Sequence, residues 1–315
     1  MLKSTKKSDG VSEVKNCKKT SLRGFMEAQA GRLQALGRER CRETTMQALR
    51  SFLQFRGGHD ISLTQLTSDV VEQYEAWLKA KSLRRNTIGF YMRTLRAAYN
   101  RAVGQGLTTD RRPFGKVYTG VDKTIKRALQ PQQVRAIVKL NLNNKPHLAF
   151  ARDMFLFSLF ARGMALVDMA FLRKTDLRGS HFTYCRRKTG QMLTVEWIPE
   201  MQRILNLYPP NPTQYLLPII TKSGKSDRRQ HLTMTENINR ALNQIAAMAD
   251  IDAGLTMYWA RHTWGTMARN SNIPLAVISE ALGHNNERTT QIYLDSIQSN
   301  VVDRANRMVI DELQL

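Results

Sequence analysis

The sequence is short of cysteine, of acidic residues and of long apolar runs, and each shortage removes a class of protein. Only three cysteines occur, Cys17, Cys41 and Cys185. They lie far apart and form no CxxC pair, so neither a disulfide framework nor a zinc site is expected, and a reducing cytoplasm is the default compartment. The best apolar run, "MFLFSLFA" at 154–161, is flanked by Asp153 and Arg162 and is too short to span a bilayer. It reads as a buried core helix. The first residues, "MLKSTKKSDGVSEVKNCKK", carry charge but no apolar segment, so no secretory signal is expected. No HExxH, no clustered acids and no Gly-rich phosphate loop occur, so neither a metal nor a cofactor is expected.

The scarcity of acids is what points to a partner. Asp and Glu number 26 against 48 Lys and Arg, which leaves a formal charge of +22 on 315 residues. Solubility needs far less. Such a surplus calls for a polyanion, and nucleic acid fits best. An anionic membrane surface is the other candidate, but no apolar segment supports it. With 42% hydrophobic residues the chain can bury two ordinary cores.

The hydrophobic periods divide the chain. Residues 1–20 are polar, basic and aperiodic, a flexible tail. Residues 21–105 read as all helical. Met46, Leu49, Phe52 and Leu53 recur at helical spacing. Val70, Tyr74, Trp77 and Leu78 do so again, after an Asp69–Glu72 pair that resembles a capping box. A third helix follows, with Asn86 as its candidate cap and Gly104 at its end. Its outer face carries Arg93 and Arg96, close to Arg84 and Arg85 at its start. Residues 79–127 hold 13 Lys or Arg and two acids, so these four arginines are candidate DNA contacts and not merely a solvated face. Residues 106–126 have no clean period, three glycines and a proline, and suit an exposed linker. A second domain, 127–315, starts near Pro131. It places a helix at 147–161, two short strands within 181–198 around a "KTGQ" turn, and helices at 235–249, 261–270, 274–282, about 287–296 and 300–312. The fold class is therefore mostly α with a small antiparallel β-sheet in the C-terminal domain.

In this second domain five polar side chains fall at element ends or turns, where chains present functional groups. They are Arg162 between two helices, Lys188 at the hairpin tip, Arg261 near a helix start, His284 just past a helix stop, and Tyr293 on the next helix. A tyrosine hydroxyl, with a pKa near ~10, is a poor nucleophile by itself. Nearby cations favour its phenolate. Guanidinium groups grip phosphodiester oxygens and stabilise a pentacovalent transition state. A lysine or histidine can move the protons. The product would be a covalent phosphotyrosine, which conserves the bond energy and lets strands rejoin without ATP. His262, next to Arg261, faces elsewhere and reads as a buried structural residue.

The segments "ARHTW" and "ALGHNNERTTQIY" resemble the tyrosine recombinase (phage integrase) signature, in which an Arg-His-Thr step is followed by Leu-Gly-His and, nine residues on, by the nucleophilic tyrosine. Arg261, His284 and Tyr293 match in identity and spacing. "RKTGQMLTV" resembles the family's catalytic hairpin and puts Lys188 in its lysine position. The resemblance covers roughly 127–300 and extends more weakly to 21–105. It implies a two-domain clamp around double-stranded DNA and a site-specific recombinase acting through a 3′-phosphotyrosyl intermediate. It also implies a homo-tetramer on two DNA sites, monomeric or weakly associated without DNA, with a cytoplasmic, nucleoid-associated setting. The C-terminal helix is expected to dock on a neighbouring protomer or on its own domain. The short tail cannot form an arm-binding domain, so the expectation is a simple recombinase that inverts, integrates, excises or resolves DNA.

The sequence departs from the family at two places. Tyr258 stands where the family has a histidine, three residues before Arg261. Ala165 stands where it has a first arginine, and Arg162 is the nearest replacement, unless it only pairs with an acid such as Asp168. Tyr258 can donate to a phosphate oxygen or pack in the core. The departures keep two rivals open, a recombinase-like DNA-binding protein without chemistry and a type IB-like topoisomerase.

Overall fold

The computed structural model describes residues 21–122, 127–252, 254–284, 286 and 290. The chain forms two compact units whose boundary falls within 123–126, outside the described residues. The basic tail 1–20 and the helices expected at 287–296 and 300–312 also lie outside them, and so does Tyr293.

The first unit is helical. Helices α1 (Leu22–Ala35), α2 (Glu39–Phe55), α3 (Ser68–Ala80) and α4 (Arg85–Gly104) surround one apolar core. Tyr74 is fully buried there, edge-on to Phe52 at 5.1 Å, and its hydroxyl donates to Ser51 Oγ at 2.7 Å. That bond satisfies the one polar atom the ring brings inside. Two caps differ from the sequence expectation. Thr67, not Asp69, accepts from the Val70 amide and starts α3. Asn86 does not cap α4; it exchanges two hydrogen bonds with the Asp122 backbone, at 2.7 and 3.1 Å. Asx side chains bond either to a local amide or to a distant one, and here the distant one wins.

That distant bond shows where part of the expected linker runs. Phe114 and Val117 are buried in the first core, and residues 117–122 lie against α4. The approach needs a glycine, because a Cβ on Gly89 would sit 2.6 Å from the Gly120 carbonyl oxygen.

In the second unit α5 (Pro131–Lys139) begins with Pro131 at its first turn, where its missing N–H costs nothing. Helix α6 (Pro146–Phe160) contains the apolar run and is buried on nearly all sides, as its all-round hydrophobicity requires. A short α7 (Leu166–Ala170) leads to an antiparallel sheet ordered β1 (Leu177–Arg178), β2 (His181–Cys185), β3 (Met192–Glu196). Phe182 pairs with Val195 and Tyr184 with Leu193, so all four side chains face the core. Helices α8 (Pro199–Asn206), α9 (Asp227–Met248), α10 (Met257–Asn270) and α11 (Leu275–Ala281) follow. Helix α9 starts eight residues before the expected 235, because Ser226 caps the Arg229 amide. Helices α9 and α10 pack on α6, and Thr263 of α10 accepts from the Leu129 amide at 2.9 Å.

Replacing Gly89 by alanine forces backbone apart in a packed place, and overpacking of this kind costs about 1–3 kcal/mol. We expect a lower denaturant midpoint for Gly89→Ala, read by circular dichroism. An unchanged midpoint would show that the 117–122 segment does not hold α4 this closely.

Candidate active site

The β2–β3 turn and the α11 C-terminus meet at two buried arginines. Arg261 lies on the first turns of α10 and is 2% exposed; Arg186 follows β2 and is 5% exposed. Arg261 Nη1 donates to the Gly163 carbonyl at 3.0 Å, and its Nη2 donates to the Leu282 carbonyl. Arg186 Nη1 donates to the Gly283 carbonyl. Two glycines make this closeness possible. A Cβ on Gly163 would meet Arg261 Cα at 2.7 Å, and one on Gly283 would meet Leu193 Cδ1 at 2.8 Å and Arg186 Cδ at 3.0 Å. Gly283 also has φ +63°, which side-chain-bearing residues rarely adopt.

His284 completes the cluster. Arg261 Nη2 lies 3.1 Å from His284 Nε2, and His284 Nδ1 lies 2.7 Å from Thr290 Oγ1. A guanidinium only donates, so Nε2 accepts and the ring proton sits on Nδ1, where it is donated to Thr290. Burial, then the charges of Arg261, Arg186 and Lys188, push the imidazole pKa down to about 4. Lys188 is exposed on the turn, near enough for its charge to act on His284.

The charge balance of this cluster is one-sided. Among the described residues, Arg186 and Arg261 bond to backbone carbonyls and one imidazole, not to a carboxylate. Asp168, 4% exposed, is the nearby acid; its Oδ1 accepts from the Arg187 amide at 2.9 Å. Burial raises its pKa more than that amide and the charges of Arg186, Arg261 and Arg187 lower it. Each arginine also keeps a buried Nε–H without a hydrogen-bond partner. A buried guanidinium without an anion costs several kcal/mol, so the site is built to receive negative charge.

The other candidates are placed differently. Arg162 has a left-handed backbone (φ 57°), and its Nη1 points to the Thr194 carbonyl of β3 at 3.4 Å. The charges acting on His284 are those of Arg261, Arg186 and Lys188, not Arg162. Arg162 does not pair with Asp168 either. Tyr258 is 51% exposed, edge-on to the buried His262 at 4.6 Å, and shares with Arg261 and Ala165 a cavity of about 360 Å³. The sequence reading passed over Arg186, although the strand alternation held the signal: Phe182 and Tyr184 face inward, and the next residue in that period is Arg186.

In the first unit, three of the four arginines read as DNA contacts hold the chain's own 117–122 segment. Arg85 stacks over Tyr118 and lies 3.6 Å from Asp122; Arg93 donates to Thr119 and Gly120 carbonyls; Arg96 donates to Thr119 Oγ1 at 3.0 Å. Arg84 is exposed at the start of α4.

Comparison with known proteins gives consistent matches. The phage integrase SAM-like domain matches residues 21–117, and the phage integrase family matches residues 127–299. The chain is 28% identical over 183 residues to tyrosine recombinase XerC of Roseiflexus sp. (strain RS-1), a match spanning 55% of this chain and 56% of that protein. It is 20% identical over 270 residues to a tyrosine recombinase of Pseudothermotoga lettingae, spanning 83% of this chain and 89% of that one. Its fold is that of a lambda integrase seen as a dimer on a COC′ core site (TM-score 0.65, 13% identity, 89% of this chain and 97% of that one). The Tn1549 transposon integrase in complex with a circular intermediate DNA is similarly close (TM-score 0.63, 16% identity, 92% and 99%). No described helix is long and apolar enough to cross a membrane.

The depressed His284 pKa gives a sign-definite expectation. The folded value lies below the ordinary histidine value of ~6.5, so the unfolded chain takes up this proton first. This residue's share of stability is present above ~6.5 and is lost as the pH falls toward about 4. In an NMR titration the His284 ring should stay neutral at pH 5.5. A midpoint near ~6.5 would contradict the buried, cation-flanked placement.

Proposed function

The chain belongs to the phage integrase family, and we propose that it is a site-specific DNA recombinase whose scissile phosphate is held by Arg186 and Arg261. The observation that carries this reading is the buried pair of guanidiniums, which among the described residues has no carboxylate partner and keeps two Nε–H donors unused. A phosphodiester supplies the missing charge on two non-bridging oxygens and, unlike a carboxylate, carries two bridging oxygens, one of which can leave. Two guanidiniums gripping the non-bridging oxygens favour the pentacovalent state, where the negative charge on those oxygens is greatest.

The Tyr293 hydroxyl gives up its proton as its oxygen attacks phosphorus. The bond from phosphorus to the 5′ oxygen breaks, leaving a 3′-phosphotyrosyl link and a 5′-hydroxyl. His284, neutral at physiological pH, accepts from Arg261 through Nε2 and so holds that guanidinium at the phosphate, and the tyrosine proton passes to solvent. Lys188, exposed on the mobile end of a long side chain, donates one to the departing oxygen. Attack by a 5′-hydroxyl from another strand reverses the sequence and reseals DNA. Tyr258, on the same cavity wall as Arg261, donates to a phosphate oxygen in place of the family's histidine. Arg162, whose Nη1 bonds the Thr194 carbonyl of β3, braces the hairpin that carries Lys188. Exchange between two sites needs four protomers on double-stranded DNA, which fits the chain's +22 charge and a nucleoid-associated setting.

A nicked suicide substrate carrying the cognate site tests this. The wild-type chain should form a covalent adduct, and Tyr293→Phe should form none. Arg186→Gln should lose about 10²–10³-fold in cleavage rate, the usual cost of one transition-state donor, while Arg162→Gln should lose under ~10-fold. No wild-type adduct would favour a DNA-binding protein without chemistry. Relaxation of plasmids without site preference would favour a topoisomerase. A large loss at Arg162 with none at Arg186 would return the second guanidinium to Arg162.

A further inference from the structure

A second basic cavity, of about 300 Å³, lies on the second unit and shares no residue with the cavity that Arg261 lines. Ile219 and Met234 contribute apolar surface to it, and Lys222, Lys225 and Arg229 are its cations. All three cations are exposed, and among the described residues none has a carboxylate partner. The nearest acid in sequence, Asp227, accepts instead from the Tyr215 hydroxyl at 2.6 Å.

The basic cavity of the first unit differs on this point. There Lys79 lies 2.7 Å from Glu75, Lys116 3.7 Å from Glu72 and Arg85 3.6 Å from Asp122, so its cations are internally balanced. The 222–229 cluster is not balanced, and it is not a loose loop either. Gln230 accepts from the Thr221 and Lys222 amides at 3.2 and 2.9 Å and donates to the Lys222 and Lys225 carbonyls at 2.8 and 3.4 Å. One buried-side amide thus fixes the backbone that presents two lysines, and Arg229 stands on the same helix one residue before it. Like charges held close repel each other, so a chain that fixes three of them without a counter-charge leaves that charge to a partner.

We propose that Lys222, Lys225 and Arg229 form a contact for the phosphate backbone of duplex DNA, separate from the seat of the scissile phosphate. It rests on the reading that this chain acts on DNA. Cations spread over a fixed loop and a helix suit successive phosphates along a strand better than one compact anion. The contact is independent of base sequence and adds affinity that salt removes. Helix α9 then serves both sites. His231, Thr235 and Asn239 line the cavity of Arg261, while Ser226, Arg229 and Thr233, on the other side of the helix, line the basic one.

The test uses the full chain and a Lys222→Gln, Lys225→Gln, Arg229→Gln triple variant, with anisotropy titrations of two unrelated 40-base-pair duplexes over a range of salt. The substituted side chains are exposed, so thermal melting should not change. The variant should bind both duplexes about tenfold or more weakly, and its slope of log K against log salt should be flatter by roughly 2.7, at ~0.9 per lost phosphate contact. Equal affinity and slope for variant and wild type would overturn the assignment while leaving the recombinase reading intact. A wild-type chain that binds neither duplex would overturn both. Inorganic phosphate that stabilises the wild type against heat, but not the variant, with DNA slopes unchanged, would make this a free-anion site and overturn the DNA contact.

Discussion

Two guanidiniums buried beside each other, without a carboxylate on either among the described residues, are the constraint that the second unit is built around. Arg186 and Arg261 repel; burial and the charge of Arg261 lower the pKa of Arg186. Backbone carbonyls take up part of their charge. Gly163, Leu282 and Gly283 turn their carbonyl oxygens inward to accept from them. Dipoles soften the cost of burial but do not cancel a net charge. What remains is a standing demand for an anion, expressed as two unused Nε–H groups. The same field keeps His284 neutral, so that its Nε2 accepts from Arg261.

The fold delivers those carbonyls from three separate elements. The turn after α6 brings Gly163, the end of α11 brings Leu282 and Gly283, and the β2–β3 turn brings Arg186 to meet them. The glycines at 163 and 283 matter for what they lack, since any Cβ would collide with the arginine or its neighbours. Asp168 ties the hairpin to α7 through the Arg187 amide. The cluster is therefore held by packing and backbone geometry, and preorganised donors of this kind need little reorganisation when charge develops.

Much of this was legible in the sequence. The 3.6 period placed the helices, because most of them bury one face, and the hairpin stood out through its turn and alternation. The spacing singled out Arg261 and His284, which the fold brings into contact, together with Tyr293, which lies outside the described residues. The burial of Arg186 was not legible. Three consecutive cations, Arg186, Arg187 and Lys188, look alike as a string, and only the strand register sends Arg186 inward, Arg187 over the Phe171 ring and Lys188 outward. The place that Ala165 leaves empty drew attention to the nearest arginine along the helix, whereas the arginine buried beside Arg261 lies 21 residues on and arrives through the sheet. The arginines of α4 make contacts that a string cannot show. A basic stripe looks the same whether it awaits phosphates or holds carbonyls of its own chain, and Arg93 and Arg96 hold Thr119 and Gly120.

The most direct measurement of the central claim is a crystal structure of the chain on its DNA site with the scissile phosphate in place. The account predicts that guanidinium nitrogens of both Arg186 and Arg261 lie at hydrogen-bond distance, ~2.7–3.2 Å, from the non-bridging oxygens of that phosphate. It would be contradicted by a complex in which Arg162 has left Thr194 to take the phosphate while Arg186 stays bound to Gly283 alone.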